Sequence, residues 1–174
     1  VPTVSEEEKA NIDTLAEARR RLLEKEKASY WNQFGDGLLS PQAVNALSGN
    51  VSEVLDLNGS KPLTERSYLD SVCGSPSFIG IPLDALKNVP VLGGYFSDRL
   101  SASYDAAKGF VVAQDEVKKL VGSLSLSIDD GVESEEIKET LIREIDTNRL
   151  VGLGYIKDMQ EKYKETSKGG LAVN

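Results

Sequence analysis

Histidine is absent from this sequence. That removes the commonest general base, the commonest metal ligand and every Ser-His or Cys-His nucleophilic pair. Cys73 is the single thiol. Without a histidine partner it needs a helix N-terminus or a basic neighbour to ionise at neutral pH, and a small packed residue is the preferred reading. Carboxylate chemistry needs two acids in a concave pocket, whereas Glu6, Glu7, Glu8, Glu133, Glu135 and Glu136 stand at expected helix starts, where they complement the helix dipole. Asp129, Asp130, Glu133 and Glu135 suggest a calcium loop, but with Gly131 as its glycine the first ligand position falls on Leu126. Gly93-Gly94 and Gly152-Leu153-Gly154 lack both the preceding strand and the following Lys-Ser/Thr of a phosphate loop, so they read as turns or close-packing positions. The sequence therefore assigns no catalytic residue, no metal and no cofactor, and the chain is not expected to be an enzyme.

Charge narrows the partners. With 28 acidic and 20 basic side chains the net charge is −8, the wrong sign for a nucleic-acid or anionic-membrane surface. The basic run Arg19-Arg20-Arg21 is flanked by Glu17, Glu24 and Glu26, which at helical spacing reads as a solvated face with pairs such as Glu17 to Arg21. A lone cysteine permits no intrachain disulfide and fits a reducing compartment. Asn50-Val51-Ser52 and Asn58-Gly59-Ser60 match the glycosylation pattern, but a pattern this short is common by chance and both are taken as ordinary loop residues. No apolar run approaches the roughly 20 residues of a bilayer span, and the early glutamates do not resemble a signal peptide; the chain reads as soluble.

The elements that would position these residues are helical. Ser5 with Glu8 forms a capping box, and apolar residues at Ile12, Leu15, Leu22, Leu23, Tyr30 and Phe34 keep helical intervals until Gly35-Asp36-Gly37. Ser40-Pro41 starts a second helix to about Leu57. Between Asn58 and Gly94 recurrent Gly and Pro allow only short helices, over Thr64–Val72 and Leu83–Asn88, while Phe78, Ile79 and Ile81 mark the stretch as packed. A long helix is expected from Ser97 to about Leu124, an acidic loop over Ser125–Gly131, and a last helix from near Ser134 to about Lys164. The expected fold is all-α: a helical bundle of about three long helices plus several short ones, with an irregular Pro/Gly-rich middle, forming one domain over 5–166 and a flexible tail or linker over 167–174. Tyr30, Trp31 and Phe34 at the end of the first helix form a candidate partner surface, with core packing the favoured alternative. Leu100, Tyr104, Ala107 and Val111 on the central helix form a candidate self-association stripe.

Three stretches resemble, in order, the cytoplasmic region following the transmembrane part of sodium/proton exchangers of the sperm-type and plant salt-tolerance branches. The first runs from Glu17-Ala18-Arg19-Arg20-Arg21 through Tyr30-Trp31 to Gly37-Leu38-Leu39; the second is Tyr104-Asp105-Ala106-Ala107-Lys108-Gly109-Phe110-Val111-Val112-Ala113-Gln114-Asp115-Glu116-Val117; the third is Leu150 to Tyr163. They span about half of the chain, and the second is the most specific. The resemblance implies a regulatory and dimerisation domain on the cytoplasmic side of a membrane. Its partners would be a second copy, the transmembrane transport domain of the same polypeptide and a downstream cytoplasmic domain. The first helix would continue from a membrane span. No sequence for a cyclic-nucleotide pocket is present, and no ion-binding residue can be carried over. The competing reading is a free-standing helical adaptor that binds a partner protein through Tyr30, Trp31 and Phe34.

Overall fold

The computed structural model describes residues 6–67, 69–75, 90–124, 126 and 131–169. Among them every regular element is helical: α1 Glu6–Gly35, α2 Pro41–Leu55, α3 Leu69–Cys73, α4 Pro90–Val121 and α5 Val132–Gly169. The all-α expectation, with three long helices and shorter ones between, matches this architecture. No helix among the described residues is long and apolar enough to cross a membrane.

Local chemistry explains the α1–α2 corner. The Leu38 N–H donates to the Gln33 carbonyl at 2.8 Å and the Gly37 N–H to that of Phe34 at 3.0 Å, with Gly37 at φ +73°. This paired closure of orphan carbonyls requires a left-handed residue just past the helix, which glycine supplies without strain. Ser40 then caps α2, its hydroxyl accepting from the Ala43 N–H at 3.2 Å, with Pro41 at the first helical position. Along α2 the buried positions Ala43, Val44, Leu47, Val51 and Val54 fall on one face.

The long helices α4 and α5 pack antiparallel. Lys118 reaches Asp146 at 2.7 Å, Arg149 reaches Asp115 at 2.7 Å, and about three turns further the Gln160 amide donates to the Tyr104 hydroxyl at 3.2 Å. Between these rungs α5 passes close to α4 at Gly152, where an added methyl group would lie 2.7 Å from Val111 Cγ2 and 3.0 Å from Phe110 Cδ1. Helix α1 lies against the other side of α4, with Lys25 facing Glu116 and Gln33 donating to the Gly109 carbonyl at 3.1 Å. The core runs through all five helices, with Leu22, Leu23, Tyr30, Leu47, Phe110, Leu141, Ile145 and Met159 almost wholly enclosed.

Several boundaries differ from the sequence reading. Helix α4 starts at Pro90, seven residues before Ser97, because proline suits a first helical position and Gly93-Gly94 do not interrupt the turn. Helix α5 starts at Val132, just before the expected start near Ser134, which is buried in the first turn, and it continues past Lys164 to Gly169. Helix α2 ends at Leu55. The helix expected over Thr64–Val72 is confined to Leu69–Cys73, since the Leu63 backbone is committed elsewhere: its N–H donates to Glu144 of α5 at 2.9 Å and its carbonyl accepts from Asn148 at 2.9 Å. The Ser5 cap, the helix expected over Leu83–Asn88, the apolar residues Phe78, Ile79 and Ile81, most of the acidic loop and the end of the tail at 170–174 lie outside the described residues.

Candidate functional site

The most concentrated chemistry is buried where α1, the α2–α3 connection, α3 and α4 converge. Glu26 lies on the inner face of α1, one turn after Leu22 and Leu23 and one before Tyr30, so the helix that buries its apolar stripe buries this carboxylate with it. Arg66 meets it from the connection: its Nη2 lies 2.5 Å from Glu26 Oε2, and both side chains are only 2% exposed. The Tyr30 hydroxyl donates to the other Glu26 oxygen at 2.6 Å, Arg66 Nε donates to the Leu63 carbonyl at 2.7 Å, and the guanidinium stands 5.9 Å from the Phe110 ring centre. Arg66 Nη1 has no hydrogen-bond partner.

The electrostatics follow from this enclosure. Burial, then the neighbouring Glu26 charge, pushes the Tyr30 phenol well above its usual range. The same two causes push the Cys73 thiol from about 9 up to about 12. Burial works against the Arg66 charge, and Glu26 more than offsets it, so the guanidinium is held still more firmly protonated. Cys73 is a buried, packed thiol that burial holds in its neutral form, as its residue type suggested.

These shifts set an alkaline limit. In the unfolded chain Cys73 and Tyr30 ionise near their ordinary values, whereas the folded state holds them protonated. Their contribution is fully present below about pH 9 and is lost as pH rises toward 12. Stability, and with it the melting temperature, should therefore fall between about pH 9 and 11, by at most about 1.4 kcal/mol per pH unit for each group that ionises only in the unfolded chain. The paired change Tyr30→Phe and Cys73→Ala should flatten that fall; an unchanged slope would assign the alkaline loss to other groups.

A second polar clamp holds the α2–α3 connection against α1 and α5. Arg19 forms a close ion pair with Glu144, which also accepts from the Leu63 N–H. The basic run is therefore not a uniform solvated face. Arg20 and Arg21 pair with Glu17 as expected, at 2.8 and 2.9 Å, but Arg19, two residues from Glu17, is turned inward beside Ala18. Asn50 is likewise no loop residue; it is buried in α2 and its amide donates to the Ser67 carbonyl.

The residues expected to form an interaction surface separate into three places. Tyr30, Ala107 and Val111 are core positions, a correction to their assignment as surface: they kept the helical period because they face the interior. Trp31 and Phe34 are 47% and 38% exposed, their rings edge-on with centres 5.9 Å apart, on the helix that ends beside Leu38, itself 66% exposed. Leu100 and Tyr104 are half-buried and line a groove with Met159, Gln160, Tyr163 and Lys164. Among the described residues no group of three metal-ligating side chains is brought together.

Sequence reading missed Glu26, Arg66, Arg19, Glu144 and Asn148. Glu26 carried a usable signal, being an acid on the apolar face of α1; Arg66 carried none, because its partner lies 40 residues away. Comparison with protein-family models, with curated protein sequences and with solved structures finds no match to this chain.

Proposed function

We propose that this chain is a regulatory and dimerisation domain on the cytoplasmic side of a sodium/proton exchanger, coupling cytoplasmic signals to the transport part without carrying ions itself. The observation that supports this reading is that the three stretches carrying the resemblance meet in one packing unit. Gln33 of the first donates to the Gly109 carbonyl of the second, and an added methyl at Gly109 would lie 2.6 Å from a Leu39 methyl. Gly152 of the third packs onto Phe110 and Val111 of the second. Residues that look like one family's pattern are here the residues that fix one helix arrangement. The exposed Trp31–Phe34 pair with Leu38 is the contact proposed for the second copy, since clustered aromatics at a helix end are the side chains that anchor interfaces.

The coding sequence on both sides of this segment tests the assignment. About a dozen apolar spans upstream, each of roughly 20 residues, are expected; a start codon close to Val1 would overturn it. That second outcome favours the free-standing adaptor, whose partner would take the same exposed aromatic pair. Light scattering of the purified chain tests the dimer: twice the chain mass is expected, reverting to one chain mass in Trp31→Asp with Phe34→Asp. A strict monomer at high concentration would remove the dimer contact from the proposal.

A further inference from the structure

The groove between the first half of α4 and the far end of α5 stands apart from the buried clamp and from the aromatic corner. It encloses about 580 Å³ and is lined by Leu100, Ser101 and Tyr104 on one side and by Met159, Gln160, Tyr163 and Lys164 on the other. That volume lies within the range of small-ligand sites, roughly 300 to 1,000 Å³. Met159 forms the enclosed floor at 2% exposure. The walls are the Leu100 side chain and two phenol rings, and the Tyr104 hydroxyl is held in place by the Gln160 amide.

The charge around this groove runs against that of the chain. The protein as a whole carries −8, yet no carboxylate is among the described lining residues, and the one charged group is Lys164. A second cation stands beside the same wall, the Lys108 ammonium 5.4 Å from the Tyr104 ring centre. Of the described acids near these residues in sequence, Asp98 and Asp105 line another cavity between α2, α3 and α4, Asp158 pairs with Lys162, and Glu161 pairs with Lys157. An apolar slot with lysines at its edge complements an apolar tail with an anionic head.

Size selects the kind of tail. Leu100 to Tyr104 is four residues of rise, about 6 Å, and Met159 to Lys164 is five, about 7.5 Å. A docked amphipathic helix uses anchors spread over two turns, roughly 10 Å, more than the groove offers. A single alkyl chain needs only the space between the two helices. The geometry points to a binding site for a single-chain anionic amphiphile of medium length, a free fatty-acid-type carboxylate, between Leu100–Tyr104 and Met159–Lys164. This inference does not depend on the exchanger assignment.

Met159 is the only methionine of the chain, so a methyl-labelled sample reports from the groove floor as one resonance. Hexanoate, whose extended chain matches the length of the groove walls, is added, with hexyltrimethylammonium as the same tail bearing the opposite charge. The expected result is a saturable shift of the Met159 methyl by hexanoate, with the helical signal unchanged and half-saturation at about ten-fold lower concentration than for the cation, a difference of about 1.4 kcal/mol. Lys108→Glu with Lys164→Glu, both on exposed side chains, should abolish that preference. No saturable shift, an equal response to the two amphiphiles, a preference that survives the lysine changes, or a shift that accompanies loss of helix would each overturn the site.

Discussion

Arg66→Met should destabilise the fold by about 3–5 kcal/mol, because it leaves the Glu26 carboxylate buried without its counter-charge. A surface ion pair such as Arg21 with Glu17 is worth about 1 kcal/mol or less. The difference lies in solvent, since water takes over a broken surface pair and cannot reach this one. Methionine keeps much of the volume beside Phe110, so the loss would report charge rather than a cavity. Urea unfolding with an unchanged slope would measure it. The triple change Glu26→Leu, Tyr30→Phe and Arg66→Met should recover most of the loss, because it removes the carboxylate, the phenol that donates to it and the cation together. A cost below about 1 kcal/mol for the single change would mean that the pair is solvated and the clamp is not what holds the connection.

Gly59→Ala should damage the fold more than any other single methyl added at a glycine of the α2–α3 connection or the α1–α2 corner. Gly59 sits at φ +71° after Asn58 at φ +51°, and a methyl group on it would lie 2.0 Å from the Ala16 carbonyl oxygen and 2.7 Å from its carbon. Those atoms are helix backbone and cannot rotate away, so α1 itself must move. Moving it disturbs the Arg19 guanidinium, which donates to the Gly59 carbonyl at 3.4 Å and holds Glu144. A loss above about 4 kcal/mol is expected, at the exceptional end for a point change. Gly37→Ala separates the two causes: φ is +73° there too, but no atom lies within 4 Å of the added methyl, so only the left-handed cost of about 1–2 kcal/mol remains. Equal melting temperatures for the two variants would show that the approach of the connection to α1 is not made in solution.

Both substitutions act on the segment between α2 and α3, which fold-level reading treats as a connector. Leu63 shows why it is more than that. Its side chain is enclosed in the core, its N–H and carbonyl are held by Glu144 and Asn148 of α5, and three residues later Arg66 closes on Glu26 of α1. The connection therefore joins the first and last helices, which otherwise touch little, and carries the polar groups that a purely apolar bundle would omit. Unpaired or half-paired, such groups would cost stability; satisfied, they fix one arrangement of the helices.

The sequence by itself determined the helical character of the chain and those helix ends whose chemistry is local. Ser40-Pro41 and Gly35-Asp36-Gly37 could be read because a cap or a left-handed glycine acts on backbone groups within a few residues. The 3.6-residue apolar period placed α1, α4 and α5 because each must bury one stripe. Absence of histidine was equally legible, as a fact of composition that no fold can change. Only the tertiary structure decided which stripe residues stay exposed. Tyr30 and Trp31 are neighbours of similar type, but a 100° turn of helix puts the first on Glu26 inside and the second in solvent. It also decided that Glu26 meets Arg66 and that Arg19 meets Glu144, pairings across 40 and 125 residues. Local spacing carries no information about such pairs, since which charges meet depends on how helices cross, and that is fixed by the packing of side chains at positions such as Gly109 and Gly152.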